Sequence, residues 1–371
     1  MKSVYVMTHC TGSGGGRKPV VRGRVTPYLV AVKTTDLSAR LYAYTGSATG
    51  AFIGDALAMP AHWFYDPGEL ERTFGRIEAY LAPPRVHPGS ILWRSRYEPT
   101  EPAYDVLGSQ RRYWGVRGVH YHQFLRAGEN TLNLKLLALV LDQVAEHREY
   151  SRERYIDAYR AFMLSPDVHH DTYVEECHRG FFENLRRGIP PERAAVEEKH
   201  IGGMVAVVPL YAALRAAGHD HDASATAVET HVAVTHAGRR VTDGVRTLVT
   251  LARELLDGAD LAGALRHHLD RQDLAYLQGP IARIASEPVD RVLGRRYSTA
   301  CYLEESMPAT FYLLLKFADD PRRALIENTM AGGDNCHRGA VLGALLGLRL
   351  GVDAFPHEWR SGLVAHVPTP A

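Results

Sequence analysis

Two polar segments of the chain carry residue types that bind anions or metal ions. The C-terminal segment reads Ala331-Gly-Gly-Asp-Asn-Cys-His-Arg338 and joins a glycine-rich loop to consecutive polar residues at the start of a predicted helix. Backbone N–H groups are unpaired at a helix N-terminus, so an anion or a metal ion fits there. The other segment, Gly128-Glu-Asn-Thr131, precedes a long apolar run and places Glu129 and Asn130 on a first helical turn. An N-cap whose acidic residue complements the helix dipole is the alternative interpretation of this second segment.

Two stripes of glycine indicate which elements position these segments. Glycine recurs at every fourth residue in 46–54 and again in 339–351. Residues four apart lie on one face of a helix, and each interior glycine costs about 1 kcal/mol relative to alanine. Close approach of two helix backbones explains such a cost, and it would bring polar groups at the helix ends to a common site. Plain packing without a site is the alternative.

The remaining elements are predicted to be helical. From Leu41 onward, apolar residues recur at three- and four-residue spacing, which is typical of amphipathic helices, and sustained period-two alternation is scarce. We therefore predict an all-α fold. The stretches with the helical period are Thr131–His147, Arg152–Leu164, Tyr173–Arg187, Ala223–Thr235, Asp243–Leu256 and Ala309–Ala318.

One segment departs from this pattern. Residues 60–118 are rich in proline, arginine and aromatic residues, and no amphipathic helix is predicted to cover them. Long irregular segments of this kind are lids or binding loops, or apolar straps that cover one side of a core. The sequence leaves these two interpretations open.

Composition narrows the class of protein. The chain has 371 residues and a formal net charge of +1, so neither nucleic acid nor a membrane surface is expected as a partner. Its four cysteines show no metal-binding spacing, and we expect free thiols in a cytoplasmic protein. Residues 1–40 are glycine-rich and basic and are predicted to form a flexible arm. Residues 41–371 are predicted to form a single helical domain.

The glycine stripes and their flanking residues resemble the two signatures of the ADP-ribosylglycohydrolase family. Gly50–Pro60 is similar to its N-terminal Gly-Asp-Ala-Leu-Gly helix, and Gly332–Gly347 is similar to its C-terminal Gly-Gly-Asp-Thr-Asp-Thr segment. The resemblance covers roughly residues 41–355. It implies a compact orthogonal bundle of helices and hydrolysis of a glycosidic bond to ADP-ribose assisted by two Mg²⁺ ions.

Most metal ligands implied by the resemblance are replaced. The family's Thr-Asp-Asp-Thr box falls on Gly128–Thr131, with Glu129 and Asn130 at the two aspartate positions. In the C-terminal signature Asp334 is kept, whereas Cys336 and His337 stand at the later ligand positions, and His62 stands where an acidic residue is often found. Mg²⁺ prefers carboxylate oxygens, so the dinuclear site is expected to be lost or reduced. At most one weakly held Mg²⁺ is expected, with Glu129, Asn130 and Asp334 as ligands.

These observations give a predicted site. Glu129 and Asp334 are the predicted catalytic residues, acting as general base or stabilising an oxocarbenium-like centre. His337 and Arg338 are predicted to bind the phosphates of a small nucleotide-like ligand without metal. The full set of predicted substrate-binding residues is Asp55, His62, Trp63, Asn130, Asn133, Asn335, Cys336, His337 and Arg338.

A different function class stays open. The chain could be a non-catalytic relative that keeps the scaffold for binding or structure, as the resemblance to crystallin-type members suggests. Other histidines give weaker signals: His120 and His122 lie close in sequence to Glu129, and His236 resembles a Thr-His step of the family. Asp171, after His169 and His170, is predicted to lie in a loop or helix cap.

Overall fold

The computed structural model describes residues 37–99, 101–165 and 168–368. The predicted flexible arm covers residues 1–40. Residues 1–36 of it lie outside the described ranges, and residues 37–40 form the beginning of the first helix. The α-helices of the described part are α1 Leu37–Ala58, α2 Pro67–Phe74, α3 Leu132–His147, α4 Arg152–Leu164, α5 Glu176–Arg186, α6 Val207–Ala216, α7 His221–Val232, α8 Arg239–Leu256, α9 Leu261–Arg271, α10 Ile281–Ile284, α11 Val289–Val292, α12 Leu303–Lys316, α13 Pro321–Met330, α14 Asn335–Leu350 and α15 His357–Gly362.

Little other regular structure accompanies these helices in the described ranges. One parallel pair of two-residue strands, β1 Val196–Glu197 and β2 His236–Ala237, pairs Val196 with His236. The 3-10 helices are Met59–Ala61, Leu92–Arg94, Pro102–Tyr104, Gly108–Tyr113, Pro191–Arg193, Ile201–Met204 and Val352–Ala354. The predicted all-α class is confirmed, and each stretch with the helical period overlaps a helix. None of the described helices has the length and apolar character needed to cross a bilayer.

The two glycine stripes pack against each other, backbone to backbone. A Cβ atom on Gly50 would lie 2.1 Å from the carbonyl oxygen of Gly343, and one on Gly54 would lie 2.0 Å from that of Gly339. Any side chain would therefore push α1 and α14 apart. The pairing is antiparallel, with Gly46 against Gly347 at the other end. The end of α1 that carries Asp55 consequently lies beside the start of α14, which follows Asp334.

The irregular segment 60–118 is mostly a strap over the core. It contains one short helix, α2, which the sequence pattern did not predict. Its own side chains Phe64, Leu70, Leu92 and Val106 are buried. Trp63 and Leu92 form a small apolar cluster with Val119 and Tyr121. Burial of these side chains favours the strap interpretation over a lid.

Candidate active site

Asp334 is the centre of a buried group of charged and polar side chains at the start of α14. Its Oδ1 atom lies 3.1 Å from Nε2 of His62 and 2.9 Å from Nδ1 of His337. Nδ1 of His337 also lies 3.1 Å from Oδ2. All three side chains are at most 3% exposed. We call His62, Asp334 and His337 the Asp334 cluster.

A chain of hydrogen bonds continues from His62 into the protein. Nδ1 of His62 lies 2.7 Å from Nε2 of His122, and Nδ1 of His122 bonds the carboxylate of Asp171. Asp171 is completely buried. The Asp334 cluster is thus connected to a second buried carboxylate through two imidazole rings.

The backbone around His62 is held in an unusual conformation. Trp63 has a φ of 61°, in the left-handed region that residues with a side chain seldom adopt. Its N–H donates to the carbonyl of Gly333 at 2.7 Å, and the N–H of Gly333 donates to the carbonyl of Phe64 at 2.7 Å. The Trp63 ring stacks on His62 at 3.9 Å. Strained residues persist where surrounding contacts impose them, and here the contacts fix His62 against the Asp334 loop.

Glycine is required on the other side of this connection. Gly332 and Gly333 have φ angles of 64° and 65°. A Cβ atom on Gly332 would lie 2.1 Å from the carbonyl oxygen of Phe64, and one on Gly333 would lie 2.1 Å from that of Thr299. The N–H of Asp334 donates to the same Thr299 carbonyl at 2.8 Å. The glycine pair of the C-terminal signature therefore lets the loop approach two other segments closely enough to place Asp334.

On its other face, His337 adjoins Asn133 and Glu175. Nε2 of His337 lies 3.1 Å from Nδ2 of Asn133, which donates to Oε2 of Glu175 at 2.6 Å. Oδ1 of Asn133 lies 3.1 Å from Nε2 of His178. Oε1 of Glu175 is 3.9 Å from Nδ1 of His337, and the Glu175 side chain is 14% exposed. Glu175 therefore links the buried cluster to the surface.

The pKa values of the cluster reflect competition between burial and charge. Burial acts to raise the pKa of Asp334, but the charge of His337 and hydrogen bonds from His337 and His62 outweigh it and hold the pKa well below its usual value. Burial acts to lower the pKa of His337, but the charges of Asp334 and Glu175 raise it to about 10. Burial lowers the pKa of His62 to about 3. These directions favour an ion pair of Asp334 and His337 beside a neutral His62.

Asp55 and the first polar segment form a second hydrogen-bonded group, close enough for the charge of His337 to act on the Asp55 carboxylate. The Asp55 carboxylate accepts hydrogen bonds from Nδ2 of Asn130 at 2.8 Å and from the N–H and Oγ1 of Thr131 at 2.9 and 2.7 Å. Asn130 also donates to the carbonyl of Phe52 at 2.8 Å. Burial raises the pKa of Asp55, although the bonds from Thr131 and Asn130 oppose this shift. These bonds attach the start of α3 to α1 through Nδ2 of Asn130, whereas the buried Oδ1 of Asn130 has no hydrogen-bond partner in the described part of the chain.

Glu129 has other partners. Its carboxylate accepts a bond from Nζ of Lys135 at 2.9 Å and one from the backbone N–H of Arg126 at 3.1 Å. Burial acts to raise its pKa, but Lys135 and Arg126 lower it. Within the described ranges, no hydrogen bond or ion pair joins Glu129 to the Asp334 cluster. The structure does not bring the two predicted catalytic carboxylates together.

The residues around His337 in α14 brace the glycine loop. Arg338 is completely buried and donates to Oδ1 of Asn328 at 2.7 Å and to the carbonyl of Gly332 at 2.9 Å. Asn335 donates to the carbonyl of Thr329 at 2.9 Å, and the thiol of Cys336 is buried near the Asp55 carbonyl. The Nη1 atom of Arg338 has no hydrogen-bond partner among the described residues. Arg338 therefore braces the loop, and its predicted contact with a phosphate stays a prediction.

The residues present do not fit a pair of Mg²⁺ ions. The Asp334 cluster contains one carboxylate between two imidazole nitrogens, whereas Mg²⁺ prefers an octahedron of oxygen ligands. The Asp55 carboxylate is engaged with Asn130 and Thr131, and that of Glu129 with Lys135. The cluster does bring three ligand atoms within 4.8 Å of one another.

Several residues of this region were not predicted as site residues. Asp171 and Glu175 lie in the loop before α5, and their sequence neighbours carry no motif. Beside them, Nδ1 of His200 lies 2.5 Å from Oε2 of Glu198, and His200 also hydrogen-bonds Cys301. Burial acts to lower the pKa of His200, but Cys301 and Glu198 raise it to about 11. His122, noted for its closeness to Glu129, contacts His62 instead.

The helical bundle and the converging signatures define the class of protein, and comparisons with known proteins agree. The family profile described as ADP-ribosylglycohydrolase matches residues 36–368. A solved structure described as an ADP-ribosylglycohydrolase-related protein complex is similar in fold, with a TM-score of 0.52 and 19% identity. The alignment covers 88% of this chain and 93% of that chain. No curated protein matches. The chain belongs to the ADP-ribosylglycohydrolase family.

Proposed function

We propose that this chain hydrolyses a glycosidic bond in a small substrate that is N-glycosidic or derived from a nucleotide, of the ADP-ribose type. The observation that carries the proposal is the convergence of both family signatures on Asp334, with Glu175 at the opening. The replaced positions of the cluster carry His62 and His337, which have functional side chains. A site that had merely decayed tends to acquire small apolar residues.

Glu175 is the proposed catalytic carboxylate. Cleavage of a glycosidic bond passes through a positively charged sugar, and a carboxylate beside it can stabilise that charge or take the proton of the attacking water. Glu175 is partly exposed and 3.9 Å from His337, so it can meet both substrate and cluster. Asn133 holds it through the 2.6 Å hydrogen bond. Glu175 takes the role that the sequence suggested for Glu129, whose carboxylate is paired with Lys135.

Asp334 has a positioning role in this proposal. Its carboxylate is completely buried, so it does not reach a substrate directly. It holds His62 and His337 in place through both of its oxygens. The role expected of Asp334 as general base therefore becomes one of organising the two imidazoles.

Release of ADP-ribose from ADP-ribosylated arginine, serine and nucleoside substrates tests the proposal, with Glu175→Gln as the variant. Loss of a general base lowers turnover by roughly 10²- to 10⁴-fold. The matched control is Glu176→Gln, because Glu176 is the next residue and is exposed. We expect Glu175→Gln to lose activity at an unchanged melting temperature and Glu176→Gln to keep it.

Two outcomes would count against the proposal. Full activity of Glu175→Gln would remove Glu175 from the mechanism. No turnover of any substrate by the wild-type protein would favour the alternative of a non-catalytic relative. The internal engagement of Glu129 and Arg338 is the observation that supports this alternative.

A further inference from the structure

We propose that His62, Asp334 and His337 bind a single divalent ion of the first transition series, of which Zn²⁺ and Co²⁺ are examples, in place of the family's two Mg²⁺ ions. The inference concerns the same site as the proposed function. Metal binding and hydrolysis are separate claims, however, and either can fail while the other holds.

The spacing of the three side chains matches that of neighbouring ligands on one ion. Oδ1 of Asp334 lies 3.1 Å from Nε2 of His62 and 2.9 Å from Nδ1 of His337. Ligand atoms that are each about 2.0–2.2 Å from a metal ion, in adjacent coordination positions, are about 3 Å apart. The ligands come from two segments that the Trp63–Gly333 hydrogen bond fixes together.

The residues behind His62 support it as a metal ligand. Nδ1 of His62 lies 2.7 Å from Nε2 of His122, and Nδ1 of His122 bonds the Asp171 carboxylate. When Nε2 of His122 accepts the Nδ1–H of His62, Nε2 of His62 presents a lone pair toward Asp334, and an ion can take the place of the proton between them. A carboxylate behind an imidazole is also the usual support of a histidine metal ligand.

His337 supplies its ligand atom where it now pairs with Asp334. An ion bound at Nδ1 displaces the proton of that nitrogen, while Nε2 keeps facing the Asn133 side chain at 3.1 Å. Glu175 lies 3.9 Å from Nδ1 of His337 and is therefore beside the proposed ion.

The ligand types decide which ion binds. Two imidazole nitrogens with one carboxylate suit zinc, cobalt, iron or manganese better than a hard ion such as Mg²⁺. The order of affinity among divalent ions places Zn²⁺ and Co²⁺ above Mn²⁺ and Fe²⁺. We expect Mg²⁺ to compete poorly at this site.

Equilibrium dialysis of the full-length, chelator-treated protein against Zn²⁺, Co²⁺ or Mg²⁺ tests the inference by metal analysis. We expect one Zn²⁺ or Co²⁺ per chain, a rise in melting temperature, and visible absorption of bound Co²⁺ with imidazole ligation. His62→Asn and His337→Asn should each lower the affinity at least about 100-fold, and His122→Asn about 10- to 100-fold. His231→Asn, at a buried histidine outside the cluster, should leave it unchanged.

Several results would overturn the inference. Among them are no uptake of Zn²⁺ or Co²⁺ by the wild-type protein, equal affinity for Mg²⁺, and uptake that His62→Asn and His337→Asn leave intact. Should these variants fail to fold, the spectrum of Co²⁺ bound to the wild type decides the question, because it shows whether imidazole nitrogen ligates the ion. A spectrum without imidazole ligation would overturn the inference. Hydrolysis at full rate by chelated protein would contradict a catalytic metal and keep the proposed function. Metal uptake without any hydrolysis would support the metal site and contradict the proposed function.

Discussion

Asp55 and Asp334 are both completely buried carboxylates, and the glycine-paired helices α1 and α14 bring their segments together. Asp55 accepts three hydrogen bonds from Asn130 and Thr131, all from neutral groups. Among the described side chains, the partners of the Asp334 carboxylate are the imidazoles of His62 and His337. The pKa of Asp55 is raised, chiefly by burial, and that of Asp334 is lowered by its histidine partners despite burial.

The partners of these two buried carboxylates determine what each of them can do. Neutral hydroxyl and amide donors satisfy Asp55 and make it a structural connection between α1 and α3. Imidazoles can exchange a proton or take up a metal ion, so Asp334 belongs to a site that can change state. The proposed chemistry therefore lies at the start of α14, whereas the metal ligands that the family resemblance implies come from both polar segments.

The largest expected effect follows from Asp334→Asn, which leaves the buried His337 without its counter-charge. Removing one partner of a buried ion pair costs about 3–5 kcal/mol of unfolding free energy. Urea denaturation measures this loss. Asp353→Asn is the control, because Asp353 forms an exposed pair with Arg360 and such pairs contribute about 0–1 kcal/mol. Equal losses in the two variants would mean that the Asp334 ion pair does not hold the cluster together.

A somewhat smaller loss of stability is expected when α1, which carries Asp55, is pushed away from α14, which follows Asp334. Gly50→Ala places a methyl group 2.1 Å from the backbone of Gly343, where no flexible side chain can move aside. Overpacking of this kind costs about 3 kcal/mol. Gly263→Ala, at an exposed position of α9, is the matched control, because its methyl group would meet only the Asp260 side chain, at 3.1 Å, and it should change stability by less than about 0.5 kcal/mol. Thermal denaturation of both variants would show whether the glycine stripe is needed for helix approach.

Thr131→Val tests the structural side of the comparison. It removes the 2.7 Å bond from Oγ1 of Thr131 to Asp55 and leaves part of a buried carboxylate unpaired. We expect a loss of about 2 kcal/mol in unfolding free energy, with unchanged turnover per folded molecule. Thr73→Val, at an exposed helix position, should change stability by less than about 0.5 kcal/mol. A selective loss of turnover in Thr131→Val would assign Asp55 to the site.

The smallest expected effect concerns pH: the stability changes caused by Asp55→Asn and Asp334→Asn should depend on pH with opposite signs. Both aspartates have an ordinary pKa of 3.8. Asp334, with its lowered pKa, contributes stability above pH 3.8 that is lost as pH falls through its folded pKa. Asp55, with its raised pKa, contributes stability below pH 3.8 that is lost as pH rises through its folded pKa. The stability difference between wild type and Asp55→Asn should therefore fall with rising pH, and that for Asp334→Asn should grow. Denaturation of chelated protein at stepped pH measures both slopes, and slopes of the same sign would refute the comparison.

The helices and their closest pairing could be predicted because their signals are local. Apolar spacing identifies a helix within its own sequence, and glycine at every fourth residue leaves few explanations other than backbone contact. The residues of the site were harder to predict, because a motif places a side chain along a helix but does not determine which residue it will contact in the folded protein. Arg338 starts α14 as expected, yet its guanidinium turns to Asn328 and Gly332. Asp171 and Glu175 enter the site through tertiary contacts that leave no mark on neighbouring residues.

The most direct test of this division between the two regions is the rate of ADP-ribose release by wild type, Asp334→Asn and Thr131→Val, measured side by side at equal folded concentration. We expect Asp334→Asn to lose at least about 100-fold in rate and Thr131→Val to retain the wild-type rate. Equal rates in all three proteins, or an equal loss in both variants, would contradict it.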